Sequence, residues 1–150
     1  MTTSSMAKNS IRRALTTILS PEPTKKEFNA MREYFEFCCA YCGENIDRNS
    51  RKGHNDHIEP KGSNHISNRV LSCGKCNGDE KRERDWKQFL REKSDSDEIF
   101  NKKKEKIDSW IKKHEGTKKT KIDHTLLEST ILEVHKSFDK AVSKLRDSRK

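Results

Sequence analysis

Four of the five cysteines stand in two pairs whose spacing is typical of a metal site. Cys39 and Cys42 form one Cys-x-x-Cys pair, Cys73 and Cys76 form the other, and 30 residues separate the two. A gap of two residues lets both thiolates of a pair point at one ion, and four thiolates complete the tetrahedral shell of structural zinc. The spacing therefore predicts a closed zinc site that stabilises the fold and does not activate water.

The fifth cysteine, Cys38, directly precedes the first pair. It could replace Cys39 as a zinc ligand, but Cys39 has the right gap to Cys42, so we expect Cys38 to be a buried thiol at a helix end. The alternative to one zinc site is two unrelated pairs, one of them a redox Cys-x-x-Cys. In a reducing cytoplasm, cysteines are metal ligands or buried thiols before they are disulfides.

The segment between the two pairs carries residue types that suit phosphodiester hydrolysis. A carboxylate such as Asp56 is a hard oxygen ligand for Mg²⁺, and the adjacent His57, when neutral, can take a proton from water near pH 7. Because successive strand residues point to opposite faces, this pair needs a bulge or bend to act on one phosphate. His54 and His65 lie in the same segment, and we expect them to be solvated or to face phosphate.

The ordered combination C-x-x-C, D-H-I-x-P, an Asn before an apolar pair and then C-x-x-C-N resembles the HNH endonuclease family over about residues 39 to 81. The resemblance implies a ββα-metal fold and DNA hydrolysis that yields 5′-phosphate and 3′-hydroxyl ends. It implies that Asp56 on the first strand and Asn77 at the start of the helix bind the catalytic divalent ion. It also implies that His57 is the general base and that Asn68 holds the site and orients this base.

One position departs from the family's pattern. Relatives commonly carry Lys three residues beyond the position of Asn77, whereas this chain has Glu80 there and Lys81 next. Glu80 could bond the metal shell or a nearby Arg. Neither Glu80 nor Lys81 is placed in the catalytic set.

The charge of the chain suits a polyanionic partner. Lys and Arg number 33 against 24 acidic residues, a net charge of +9 that is spread along the chain. This balance suits nucleic-acid binding, and a merely well-solvated basic protein is the alternative that charge alone leaves open. The residues expected to hold the phosphate backbone of DNA, most simply double-stranded, are Lys52, Lys61, Arg69, Lys75, Lys81, Arg82 and Arg84.

Apolar residues make up only 29% of the chain, so its compact part needs a staple such as zinc. The pattern predicts an α+β fold: a small ββα-metal core with zinc knuckles over residues 38–93, flanked by helices on both sides. Residues 1–37 form the N-terminal helical segment, and residues 94–150 form basic and amphipathic C-terminal helices. Helices are predicted before Ser20, over residues 24–37, where Thr24 and Glu27 have the form of a capping box, through DEKRERDWKQFLREK after Asn77, and from Ile99 to Lys113. The short apolar pieces among Gly, Asn and Ser from Cys38 to about Leu90 predict a hairpin and loops.

The C-terminal segment has an apolar heptad seam of nearly three repeats, formed by Leu127, Ile131, Val134, Phe138, Ala141 and Leu145. This stripe must pack within the chain, on the zinc core or the helix around Trp110, or else form a homodimer. No window approaches the ~18 apolar residues of a membrane span, and no secretory signal is apparent, so we expect a cytoplasmic protein without membrane contact.

Together these features predict a DNA endonuclease with structural Zn²⁺ and with Mg²⁺ or another divalent metal as the catalytic ion. The substantial flanking helices slightly favour a restriction or antiphage defence role. A zinc-containing module that binds nucleic acid without catalysis is the alternative function, and a structural or regulatory zinc protein that dimerises through the heptad helix is a second alternative.

Overall fold

The structure, a computed structural model, describes residues 3–48, 52–116 and 123–148. Helices and a small antiparallel sheet are mixed along the chain, as the predicted α+β class requires. A 3₁₀ helix (Ile66–Asn68) precedes the second strand and a π-helix (Lys75–Lys81) follows it. The remaining elements, in chain order, are α1 (Ser4–Leu19), α2 (Lys25–Tyr34), β1 (Gly53–His57), β2 (Arg69–Cys73), α3 (Trp86–Glu92), α4 (Asp97–His114) and α5 (His124–Asp147).

The chain divides into two compact units, Met1–Pro21 with Thr120–Lys150, and Glu22–Lys119. In the first unit, α1 packs against α5. Ion pairs join Lys8 to Asp139 and Arg12 to Glu128, each at 2.6 Å. Because the partners run backwards along α5 as α1 advances, the two helices are antiparallel. The first part of the heptad stripe is buried within the chain, at Leu127 and Ile131, whereas Ala141 and Leu145 at its other end are exposed.

The second unit begins with α2, whose predicted capping box is confirmed. The Thr24 hydroxyl accepts from the Glu27 backbone N–H, and the Glu27 carboxylate accepts from the Thr24 N–H. The predicted end at residue 37 is wrong, since α2 ends at Tyr34. Glu36 and Phe37 have φ values of 55° and 56°, in the left-handed region that a right-handed helix cannot contain.

The two strands pair residue for residue, from Gly53 opposite Cys73 to His57 opposite Arg69. Such one-to-one pairing has no place for the bulge that we expected at Asp56 and His57, so these two side chains leave β1 on opposite faces. Every residue of β2 is buried.

The continuous helix predicted after Asn77 is wrong. The chain forms the π-helix up to Lys81, and Arg82 then takes a left-handed conformation, with φ of 47°. A new helix, α3, begins only after Asp85, whose side chain accepts from the Gln88 N–H. The positive φ of Arg82 therefore divides the predicted helix into two separate helices.

Aromatic residues of α2 and α4 hold the helices against the hairpin. The indole of Trp110 donates to the Ile66 carbonyl at 3.1 Å, and the Tyr34 hydroxyl donates to the Lys106 carbonyl at 2.9 Å. Trp110 and Phe89 are fully or almost fully buried. Across the described ranges, no helix has the length and apolar character needed to cross a membrane.

Candidate functional site

The first cysteine pair lies on a tight turn. The Gly43 N–H donates to the Cys39 carbonyl at 2.9 Å, and the Glu44 N–H points at the sulfur of Cys42 at 3.5 Å. Gly43 adopts a φ of 83°, a conformation that glycine takes without a Cβ penalty. The turn is tied to β2 because the Ala40 N–H donates to the Leu71 carbonyl at 2.8 Å. These bonds place both thiols of the pair beside the second pair.

The second pair brings its sulfurs to the same place, since Cys73 ends β2 and Cys76 lies in the π-helix. The four sulfurs lie within 4.8 Å of one another, and Cys42 Sγ is 3.8 Å from Cys73 Sγ. A tetrahedral zinc with four thiolates has sulfur–sulfur edges of about 3.8 Å, whereas a disulfide needs about 2 Å. The cluster can hold a zinc ion, and it is the only candidate metal group of three or more such ligands within the described ranges.

Without a bound cation, the cluster disfavours the ionisation of all four cysteine thiols. Burial, aided by the neighbouring Cys39, raises the pKa of Cys73 to about 12, and burial with its sulfur neighbours also raises the pKa of Cys76. A divalent cation would supply the opposite charge that lets these thiols ionise. Cys38 lies outside this cluster and is half-buried rather than fully buried, its Sγ 3.5 Å from the Glu36 carbonyl.

Asp56, expected to bind the catalytic metal, is buried on β1. Its Oδ2 accepts from the Tyr41 hydroxyl at 3.0 Å and lies 3.2 Å from Lys81 Nζ. Burial raises the pKa of Asp56, against the opposing effects of Lys81 and Tyr41. Burial also raises the pKa of Tyr41, so that its hydroxyl stays protonated and donates.

The side chain of Lys81 is 0% exposed, so it does not have the solvent-facing position expected of a DNA contact. Besides Asp56, its ammonium donates to the His57 carbonyl at 2.6 Å. Lys81 therefore ties the end of the π-helix to two consecutive residues of β1.

His57, the expected general base, is half-buried at the end of β1. Its Nε2 lies 3.0 Å from Asn64 Oδ1, and its Nδ1 lies 3.1 Å from Arg69 Nη1. Burial and then the charge of Arg69 lower the pKa of His57 to about 4, so the ring is neutral at pH 7. Asp56 and His57 thus have different side-chain partners, as expected on opposite faces of a regular strand.

Asn68 closes the loop between the strands. Its amide nitrogen donates to the carbonyls of Glu59 and Ser63 at 3.0 and 2.9 Å, and its oxygen accepts from the Glu59 N–H at 2.8 Å. The loop begins directly after His57, so Asn68 holds the segment that carries the imidazole. The loop side chain that contacts the ring is not Asn68 but Asn64, which the sequence gave no reason to separate from ordinary loop residues.

Asn77 and Glu80 lie in the π-helix. Asn77 is half-buried, and it is the third residue of that helix instead of the first. Glu80 pairs with Lys93 at 2.5 Å and more loosely with Lys75 at 3.8 Å, so its ion-pair partners are lysines, whereas a nearby arginine was one of its two suggested partners. Glu80 therefore links the π-helix to the end of α3.

Most of the residues expected to bind DNA are at the surface. Lys81 and Arg69 are the two exceptions. Arg69 is 5% exposed, and its guanidinium group is hydrogen-bonded to other buried parts of the chain. His54 is exposed, whereas His65 Nδ1 is 2.8 Å from the Ser67 hydroxyl. Among the residues expected to bind DNA, those at the surface are called the exposed cations below: Lys52, Lys61, Lys75, Arg82 and Arg84.

A scan against protein-family models finds no match to this chain, and searches of curated proteins and of solved structures find none either.

Proposed function

We propose that this chain is a metal-dependent endonuclease of the HNH type that hydrolyses phosphodiester bonds of double-stranded DNA. The proposal rests mainly on two consecutive residues at the end of β1: the neutral, oriented imidazole of His57 and the buried carboxylate of Asp56, which leave the strand on opposite faces. A module that only binds nucleic acid needs the cysteine cluster and the exposed cations, but it needs neither of these two side chains. This difference favours hydrolysis over the non-catalytic alternative.

The donor set suits a hard divalent cation such as Mg²⁺. Asp56 and Asn77 would hold it, with the Asp56 carboxylate kept in position by its contacts with Tyr41 and Lys81. Asn77 is four residues before Lys81 in a helix whose turn contains a little over four residues, so both lie on about the same side. When bound, the cation would neutralise charge on the scissile phosphate and the leaving oxygen.

Side chains of the protein would provide proton transfer, positioning of the base and binding of the DNA backbone. His57 takes a proton from the attacking water, the water oxygen bonds to phosphorus, and the P–O3′ bond breaks to leave 5′-phosphate and 3′-hydroxyl ends. Asn68 keeps the loop after His57 in place. The exposed cations hold the DNA backbone, so that affinity falls with added salt.

The π-helix supports the proposed relationship to HNH enzymes. Its turn contains about one residue more than an α-helical turn. Lys81 is four residues after Asn77. In this wider helix it therefore lies on about the same face that the third residue after Asn77 would occupy in an α-helix. This accounts for the shift of the family's lysine by one position, and it leaves Glu80 free to pair with Lys93.

Zinc-loaded protein, freed of other metals, should nick or linearise supercoiled plasmid when Mg²⁺ or Mn²⁺ is added, and should not do so without it. Gel analysis of the plasmid forms measures the cleavage. Adding the metal back to zinc-loaded protein is preferable to adding a chelator, because a chelator can also remove the structural ion.

A folded, zinc-loaded protein that shifts DNA on a gel yet cuts it with neither metal would contradict the proposal. That result would favour the alternative of a zinc module that binds nucleic acid without catalysis.

The oligomeric state bears on the kind of cut. A homodimer through α5 would place two sites on opposite strands, which is a simple route to a double-strand break. Because α5 already packs against α1 and its Leu127 and Ile131 are buried in the single chain, we instead expect a monomer at micromolar concentration, with nicking as the main reaction. Light scattering of the free and the DNA-bound protein measures this, and a dimer in either state would contradict it.

A further inference from the structure

Arg69 is a buried cation for which the proposed mechanism has no role. It lies on β2 directly opposite His57, and it is 5% exposed. Its five N–H groups have five acceptors: the carbonyl and the side-chain oxygen of Asn64, the Asn55 carbonyl, the Glu22 carboxylate and Nδ1 of His57. Its one acidic partner, Glu22, is 51% exposed.

These contacts fix the protonation pattern of the imidazole. A guanidinium group has donors only, so Nδ1 of His57 must be the acceptor and its proton must be on Nε2. Nε2 then donates to Oδ1 of Asn64, which also accepts from Arg69 Nη2 at 3.0 Å. Arg69 thus sets both the tautomer of His57 and the orientation of the Asn64 amide.

The same geometry places Arg69 beside the reacting atoms. If His57 is the base, the attacking water must hydrogen-bond to Nδ1, the only lone pair of the neutral ring, and Arg69 Nη1 now lies 3.1 Å from that atom. A water poised for attack lies about 3 to 3.5 Å from phosphorus. The phosphate therefore arrives within about three hydrogen-bond lengths of the present position of Nη1.

We propose that Arg69 is a catalytic residue of this site that binds a non-bridging oxygen of the scissile phosphate. This inference rests on the proposed nuclease function. As DNA binds, Nη1 leaves Nδ1 for the phosphate oxygen and admits the water, while Glu22 and Asn64 keep the guanidinium in place. Arg69 gains and loses no proton: Nδ1 takes the proton of the water, and the leaving 3′ oxygen takes one from solvent.

The scissile phosphate would place a negative charge beside the buried guanidinium group of Arg69. Burial lowers the pKa of Arg69, against the opposing effects of Glu22 and Asp56. Glu22 follows Pro21 and precedes Pro23. Its short, proline-flanked segment holds the carboxylate against the guanidinium at 2.7 Å and limits how far Arg69 can move.

The test compares Arg69→Gln with the wild type on three DNA duplexes, after the wild-type cut position has been mapped. One duplex carries the ordinary phosphate there, and each of the other two carries one isomer of a methylphosphonate, which replaces one non-bridging oxygen by a neutral methyl group. On the phosphate, Arg69→Gln should lower the single-turnover rate about 10²- to 10³-fold, as loss of one donor to a developing oxyanion does. On one methylphosphonate isomer, variant and wild type should differ by only a few-fold.

Arg12→Gln is the matched control, because Arg12 also pairs with a carboxylate but lies in the other unit. Zinc content and melting temperature show whether each variant is folded. If Arg69→Gln loses its zinc, Arg69→Lys and Glu22→Gln replace it in the test. Arg69→Lys keeps the positive charge without the planar set of donors, and Glu22→Gln removes the carboxylate that holds the guanidinium group.

Equal rate losses on the phosphate and on both methylphosphonate isomers would show a purely structural role and overturn this inference alone. A wild-type rate for Arg69→Gln on the phosphate would do the same. Failure of the wild-type protein to cut any duplex with added metal would overturn the proposed function, and this inference with it.

Discussion

Cys73→Ser should abolish stoichiometric zinc binding and lower the melting temperature far more than the same substitution of Cys38, the cysteine outside the cluster. Cys73 is the residue where β2 ends and the turn to the π-helix begins, so its thiolate joins three parts of the core through one ion. In small zinc domains the free energy of metal binding is free energy of folding. Elemental analysis should find about one zinc per wild-type chain and much less in the variant.

Cys38→Ser is the matched control, because it makes the same chemical change one residue before the cluster. Asp56→Ala is a poorer control, since it would leave the buried ammonium of Lys81 without its carboxylate, and this alone destabilises a fold. Similar melting temperatures for Cys73→Ser and Cys38→Ser, or wild-type protein purified without zinc, would contradict the zinc assignment.

Local signals in the sequence predicted the local features of the structure. The Cys-x-x-Cys gaps predicted the cysteine cluster, and Thr24 with Glu27 predicted the start of α2. Short apolar pieces between the two cysteine pairs predicted the hairpin. In each of these, the interacting residues lie close in the chain or have a spacing that has one physical explanation.

Features that depend on residues distant in the chain were not predictable in the same way. The partner of Asp56 is Lys81, which the sequence suggested only as a phosphate contact. The change of helix type that turns Lys81 toward β1 follows from tertiary packing, because π-helical turns have no strong residue preference to detect. The contact of Asn64 with His57 is likewise invisible in a loop of small polar residues.

The C-terminal stripe shows the same limit from another side. Its heptad spacing predicted that α5 buries an apolar face, but the spacing does not name the partner. The partner is α1, at the other end of the chain, and the contact is reinforced by the ion pairs of Lys8 and Arg12. Complementary charges on two helices more than 100 residues apart carry no signal in one sequence without relatives.

Replacement of His57 should separate cleavage from folding and from DNA binding. His57→Ala removes the proposed base, and the loss of one positioned proton-transfer step should lower the single-turnover rate by about 10²- to 10⁴-fold. His57→Gln should lose as much, although its amide can still offer an acceptor and a donor near Arg69 and Asn64. Quenched cleavage of end-labelled duplex measures the rate, and fluorescence anisotropy without catalytic metal measures the affinity.

His124→Ala is the matched control, since His124 is exposed at the first residue of α5 and takes no part in the proposed site. The zinc content of all three variants should equal that of the wild type, because no zinc ligand is changed. Affinity for DNA should change little, since the exposed cations that hold the backbone are intact. Cleavage by His57→Ala and His57→Gln at near the wild-type rate would remove this imidazole from the mechanism, and the base would then have to be a water held by the metal.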